Sequence, residues 1–392
     1  MDEKELVKQR VDTVAAQLTD LADRIFQNPE YCFQEHRAAA AAAKLLKELG
    51  FQVETGVGGL QTALRAVYDS GRPGPNLGFL GEYDAVPGMG HACGHNLMTP
   101  IAIGAAYALQ PVVDEVGGKL TVLGCPAEEG GGGKILMQRA GVFDGIDAAM
   151  LIHPANETVV NDISYSSTSL KVDYYGKKAH AVTWPEEGVS ALVPVMQLLQ
   201  TIAAIRPEIS GKGWILGVIR DGGETPVMIP DHCSAEILVR SFSMKEKLRL
   251  VERVKEMSQA MADMTHTRVE ISVLRDSYED IRNNPVIEEY LQQNLLAIGE
   301  EVKPRTRDLG IGTTDMGNVT HEIPGLQSYI KVVPVLRGHT PEFEAACGSP
   351  AGIHAMLQAA KAEAMTGVDL LREPEALRRV KEEFLAMKAK YE

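Results

Sequence analysis

No apolar run in this chain approaches the roughly 18 residues that a membrane-spanning helix requires, so no segment reads as a membrane anchor. Positive charge is in short supply. Lys and Arg number 39 against 53 Asp and Glu, for a net charge of −14, and the basic residues are scattered rather than gathered into a stripe. Nucleic acids and anionic membrane surfaces are held by basic patches, so neither is expected as a partner. Cysteine is scarce as well. Cys32, Cys93, Cys125, Cys233 and Cys347 form an odd set with no framework spacing, which argues against a disulfide-stapled scaffold and for a reducing, cytoplasmic setting. The amino-terminal stretch MDEKELVKQRVDTVAAQL is too charged for a signal peptide and reads as an amphipathic helix. Internal repeats and low-complexity tracts are missing too.

What is present is an ordinary globular composition, 45% apolar and 23% charged over 392 residues, long enough for two domains. Helical periodicity covers residues 3–27 and 36–49, interrupted by Asn28-Pro29. Apolar strands are expected near 76–81, 119–125 and 147–152, with helices near 97–110 and 132–141. Strands alternating with helices imply a mainly parallel α/β sheet, whose ligands gather beyond the strands' carboxyl ends. From residue 166 the pattern changes to β-α-β-β-α-β and ends near 277, the order of a ferredoxin-like sandwich. The reading is therefore a small α+β domain, 166–277, inserted into an α/β domain formed by 1–165 and 278–392.

Four short segments carry the chemistry, each where a strand should end. They are GEYDAVPGMGHACGHN with Asp84, His91, Cys93, His95 and Asn96; PAEEGGGGK with Glu128 and Glu129; LIHPAN with His153; and RGHTPEF with His339. Thiolate, imidazole and carboxylate are the donors that hold zinc and neighbouring divalent ions. One Cys, three His and one Glu suffice for two ions if one group bridges them. Adjacent glutamates after a strand point different ways, so one can bind metal while the other handles a proton. Gly130–Gly133 lacks a following Lys-Ser/Thr pair, so it is no phosphate loop.

These segments resemble those of peptidase family M20, in its amidohydrolase branch. NPEYCFQEH is similar to the family's N-terminal motif, and GKKAHAVTWPEEGVSAL to the start of its lid domain. GHACGHN followed by TTDMGNV resembles the subgroup of aminobenzoyl-glutamate hydrolase and the β-alanyl dipeptidases. The resemblance implies a hydrolase of an N-acyl amino acid, dipeptide-like or aminobenzoyl-glutamate-like amide, using two divalent ions, Zn or Mn before Co. It implies that Cys93 bridges the ions, that His95, Glu129, His153 and His339 complete the shell, and that Glu128 is general base and then acid. His180, from the lid of a partner in a homodimer, would steady the oxyanion, and Arg240 would hold a substrate carboxylate. One departure stands out: PVMIPD puts Val227 where the family usually carries asparagine, which points to a different or less polar substrate. Two other readings remain open: a cysteine hydrolase with Cys93 as nucleophile, and a catalytically silent metal-binding protein on the same fold.

Overall fold

The computed structural model describes residues 2–304 and 312–391. The chain divides into two compact units, one built from residues 1–163, 281–310 and 315–392, the other from 164–280 and 311–314. In the first unit, helices α1 (Glu3–Thr13), α2 (Ala15–Gln27) and α3 (His36–Glu48) lead to strands β1 (Gln52–Thr55), β2 (Leu64–Asp69) and β3 (Asn76–Glu82). Helix α4 (His95–Val116), strand β4 (Lys119–Cys125), helix α5 (Gly133–Arg139) and strand β5 (Ala148–Ala155) follow. The second unit contains β6 (Ser166–Tyr175), β7 (Ala179–His180), α6 (Leu192–Ala204), β8 (Gly213–Asp221), β9 (Met228–Ile229), β10 (His232–Ser241), α7 (Met244–Thr265) and β11 (Arg268–Val273). The chain then returns to the first unit with α8 (Pro285–Ala297), α9 (Met316–Glu322), β12 (Gly325–Lys331), α10 (Pro341–Cys347), α11 (Pro350–Arg372) and α12 (Pro374–Tyr391).

The first unit's sheet runs β1-β2-β4-β3-β5-β12. Its four strands from β4 to β12 are mutually parallel, while β1 and β2 extend it antiparallel. β3 is buried throughout and β4 beyond its first residue, as expected of strands covered on both faces. Helix α4 packs directly on β3. A Cβ on Gly81 would lie 2.5 Å from the Cα of Thr99, so glycine there lets helix and strand touch. Because β4 lies on one side of β3 and β5 on the other, the order reverses at β3, and a crevice opens beyond the carboxyl ends of these strands. In the second unit, four antiparallel strands run β11-β6-β10-β8. Alternate residues (Val172 and Tyr174 of β6, Ile237 and Val239 of β10) are buried in a core with Leu198 of α6 and Val254 of α7, the period-2 signature of a half-covered sheet.

The continuous helix expected over 3–27 is broken at Val14, whose φ of −111° and ψ of 6° leave the helical region. The break lets Val7 and Val11 of α1 and Leu18, Leu21 and Ile25 of α2 all bury in one core. The edge strand β1, its neighbour β2 and the short helices α9 and α10 were not expected; each is only four to seven residues long, below the length at which periodicity is decisive. No helix among the described residues is long and apolar enough to cross a membrane.

One core residue violates the burial rule. Glu363 of α11 is 1% exposed, and neither carboxylate oxygen has a hydrogen-bond partner among the described residues. Burial raises its pKa from 4.5 to about 8. The folded state therefore binds this proton more tightly than the unfolded chain, so stability is fully present below pH 4.5 and falls as pH rises towards 8. At pH 7 the loss is on the order of 3 kcal/mol. Glu363→Gln is expected to raise the denaturation temperature at pH 7–8 and to leave it unchanged near pH 4. Equal shifts at both pH values would show that burial of charge is not the cause.

Candidate metal centre and active site

The carboxyl ends of three adjacent parallel strands supply most of the site. β3 ends at Glu82, and the turn after it carries Asp84, His91 and Cys93 before α4 begins at His95. β4 leads through Ala127 to Glu128 and Glu129, and β5 carries His153. His339 arrives from the loop before α10, its backbone N–H donating to the Ala92 carbonyl at 2.7 Å. That bond ties a residue far along the chain to the HACGH segment.

Donor atoms converge in three groups, each within 4.8 Å: Cys93, His95 and His153; Cys93, Glu129 and His339; and Glu82, His95 and Glu128. The first two share Cys93. Its Sγ lies 3.4 Å from His153 Nε2, and Glu129 Oε1 lies 3.2 Å from His339 Nε2. The imidazoles are oriented from behind. His153 Nδ1 donates to the Pro154 carbonyl at 2.7 Å, leaving the Nε2 lone pair towards Cys93. His95 Nδ1 is 3.0 Å from both the backbone oxygen and Oδ1 of Asp84, and its Nε2 lies 3.1 Å from Glu82 Oε2. Outer carboxylates and carbonyls fix metal-binding histidines in this way. Asp84 also accepts the Glu129 N–H on Oδ2 at 2.9 Å, so one carboxylate aligns two candidate ligands.

The donor set fits a cation on its own geometry. His95 Nε2, Glu82 Oε2 and Glu129 Oε1 are buried and make no properly directed hydrogen bond, although each faces an opposing donor group. Most buried polar atoms in proteins are satisfied, and orphans of this kind within the groups of candidate donors match a cation's ligand shell. Burial lowers the His153 pKa to about 4, which keeps the imidazole neutral as a ligand requires. Burial pushes the Cys93 thiol well up, so a thiolate there, whether as ligand or as nucleophile, needs positive charge beside it.

Several residues at this site escaped sequence reasoning. Lys134 is fully buried and bonds Glu82 Oε1 at 2.5 Å and Asp315 Oδ1 at 2.6 Å, while its backbone N–H donates to Asp315 Oδ2 at 2.9 Å. Glu82 and Asp315 are themselves 1% and 0% exposed. A signal was available in GEYD, since charge at the end of a strand buried on both faces needs a partner. Nothing in the sequence says which lysine provides it. His91 is buried and stacks on Phe26, ring centroids 6.5 Å apart.

His180 and Arg240 belong to the second unit. His180, in β7, pairs with Met228 of β9. Its Nδ1 accepts N–H groups from Val182 at 3.3 Å and Thr183 at 3.1 Å, which assigns the ring proton to Nε2. Arg240 lies on β10 opposite Trp214 of β8 and Ser167 of β6. Its Nε is buried without a partner among the described residues.

Thiolate, imidazole and carboxylate donors around a polar crevice are the equipment of metal-dependent amidohydrolases and peptidases, and the comparisons with known proteins agree. Residues 73–362 match the model of peptidase family M20/M25/M40. The Xaa-Arg dipeptidase of Mus musculus is 33% identical over 402 residues, covering 97% of this chain and 93% of the dipeptidase. One of the p-aminobenzoyl-glutamate hydrolase polypeptides of Escherichia coli K12 is 33% identical over 273 residues, 64% of this chain and 56% of that polypeptide. A crystal structure of a dinuclear metal-binding M20 peptidase from Bacillus subtilis superposes with a TM-score of 0.74 at 19% identity, covering 92% and 99% of the two chains. The chain belongs to peptidase family M20.

Proposed function

We propose that the protein hydrolyses the amide bond of a small N-acyl amino acid, dipeptide-like or aminobenzoyl-glutamate-like molecule at a centre for two divalent ions. The observation that carries this reading is the pair of donor groups sharing Cys93. Cys93, common to both groups, would be shared between the ions, with His95 and His153 as the further ligands of one and Glu129 and His339 of the other. Zn and Mn suit this mixed N/O/S set best, and Co is acceptable. Bound there, the ions supply Lewis acidity and lower the pKa of water.

Glu128 takes the proton of the attacking water and returns it to the departing amine nitrogen. His180, supplied by the second unit of a partner in a homodimer and with its proton on Nε2, donates to the oxygen on which negative charge develops. Arg240 receives a substrate carboxylate, a role supported by its buried Nε without a partner among the described residues and by the planar fork of guanidinium. The relatives' names support the same class, since dipeptides and aminobenzoyl-glutamate both present a carboxylate beside the amide. The side chain of Val227, a residue at 49% exposure, offers no hydrogen bond, which favours a less polar substrate than an asparagine there would select. The second unit serves as lid and homodimer interface. β8 is an edge strand and exposes Trp214, Leu216 and Val218 at 41–48%, a row that an identical edge would cover.

The test is exhaustive chelation followed by reconstitution with Zn, Mn or Co. It uses a panel of acyl-amino acids, β-alanyl dipeptides and aminobenzoyl-glutamate, on wild type and Arg240→Ala. Activity should vanish with the metal and return at two ions per chain, and Arg240→Ala should raise KM for carboxylate-bearing substrates. Full activity after complete metal removal would instead favour a thiol mechanism at Cys93. A panel blank with all three metals would favour a silent binding protein.

A further inference from the structure

Glu35 occupies the residue directly before α3, where a helix cap belongs, yet its side chain makes no capping bond. Glu30 caps that helix instead, its carboxylate accepting from the N–H groups of Arg37 at 2.8 Å and Ala38 at 3.0 Å. The Glu35 side chain is thereby released to point elsewhere. It is 0% exposed, and its Oε1 accepts two backbone N–H groups, from Phe33 at 2.9 Å and from Ala127 at 3.0 Å.

Both donors are unusual. Phe33 and Ala127 each have φ of 61°, the left-handed region that side-chain-bearing residues seldom enter unless their surroundings hold them there. Ala127 immediately precedes Glu128. On its far side, the Ala127 carbonyl accepts the N–H groups of Gly131 and Gly132, both at 2.9 Å, while Glu129 N–H is held by Asp84. Of the two peptide groups flanking Glu128, the one before it is held through the Ala127 carbonyl by the Gly131 and Gly132 N–H groups, and the one after it through the Glu129 N–H by the buried Asp84 carboxylate; Glu35 holds the next peptide group upstream, through the Ala127 N–H. The two segments also touch directly: a Cβ on Gly131 would lie 2.5 Å from Phe33 Cε2 and 2.7 Å from Cys32 Sγ.

We propose that Glu35 is a positioning residue for Glu128, acting through Ala127 to hold the glutamate turn in the one backbone conformation that aims the Glu128 carboxylate into the site. This rests on the reading of Glu128 as the proton-transferring group. Glu35 contacts neither a candidate ligand nor the reacting atoms; its contribution is the acceptor that makes the strained Ala127 conformation persist. A displacement of about 1 Å in a reacting group can cost as much as a hundredfold in rate, so loss of the acceptor should appear in kcat.

The test uses the full-length, metal-reconstituted protein with Glu35→Ala, Glu35→Gln, Gly131→Ala and Glu128→Gln. Glu35→Ala should lower kcat by about tenfold or more with KM within about twofold and metal content unchanged. Glu35→Gln, which keeps an acceptor oxygen at the same reach, should restore kcat to within about threefold of wild type. Gly131→Ala, which forces the same two segments apart without touching Glu35, should lower kcat in the same way, so the proposal stays testable if Glu35→Ala fails to fold. Wild-type kcat in both Glu35→Ala and Gly131→Ala would overturn it. So would a loss of activity that only tracks loss of metal. Glu128→Gln separates the two levels. If it is inactive while the Glu35 and Gly131 variants are normal, only the positioning role falls; if it is active, the base assignment falls and the positioning role with it.

Discussion

Glu128→Gln is expected to cut turnover by roughly 10²–10⁴-fold, the usual worth of a general acid–base group, while both ions stay bound. Glu129→Gln is expected to lose metal as well as activity. The two side chains are neighbours in sequence with opposite environments. Glu129 is drawn down to about 2: burial opposes this, but the close approach of His339 and the His95 charge outweigh it, so its carboxylate is held anionic, as a ligand would need. Glu128 is pushed well above the carboxylate range by burial first, then by the negative charges of Glu82, Asp315 and Glu129. Adjacent carboxyls whose proton affinities are driven apart divide the labour between a fixed charge and a proton carrier. Metal content by atomic emission, measured on the same samples as kcat, checks this. Wild-type turnover in Glu128→Gln would remove the base from the mechanism. Loss of one ion in that variant would make Glu128 a ligand, as its grouping with Glu82 and His95 permits.

Lys134→Met should destabilise the first unit by ~3–5 kcal/mol, the cost of stranding buried charges. Burial pulls the Lys134 pKa down, but Asp315 and then Glu82 overcome this and keep the ammonium firmly charged. Removing it leaves two carboxylates fully buried without their cation, one of them, Glu82, directly facing His95. The triple change Lys134→Met, Glu82→Gln and Asp315→Asn should recover most of the stability, because neutral groups no longer carry the desolvation penalty. Denaturant titrations of the single and triple variants decide it. A midpoint for Lys134→Met equal to that of wild type would mean that the network contributes nothing to folding.

Much of the site could be read from the chain. HACGH puts three potential ligands within five residues, PAEEG puts two carboxylates after an apolar run, and LIHPAN ends another. These are local patterns, and strand ends in parallel sheets collect function. His339 could be named as a candidate by residue type, but its approach depends on a backbone bond to Ala92 across nearly 250 residues. Lys134, Asp315 and Glu35 lie inside segments that stand out in the chain, PAEEGGGGK, TTDMGNV and NPEYCFQEH, but their parts in the site were not legible. Each is an ordinary charged residue in sequence, and only burial makes its pairing obligatory.

The sequence by itself therefore determined the class of fold, the family and the chemical types available for catalysis, because hydrophobic periodicity and short ligand motifs are written in neighbouring residues. Only the tertiary structure decided which lysine neutralises the buried acids, which glutamate holds the turn before Glu128 and which imidazole nitrogens face the donors. Those outcomes depend on residues brought together from distant parts of the chain, where the loss of water makes an unpaired charge or N–H too costly to leave alone.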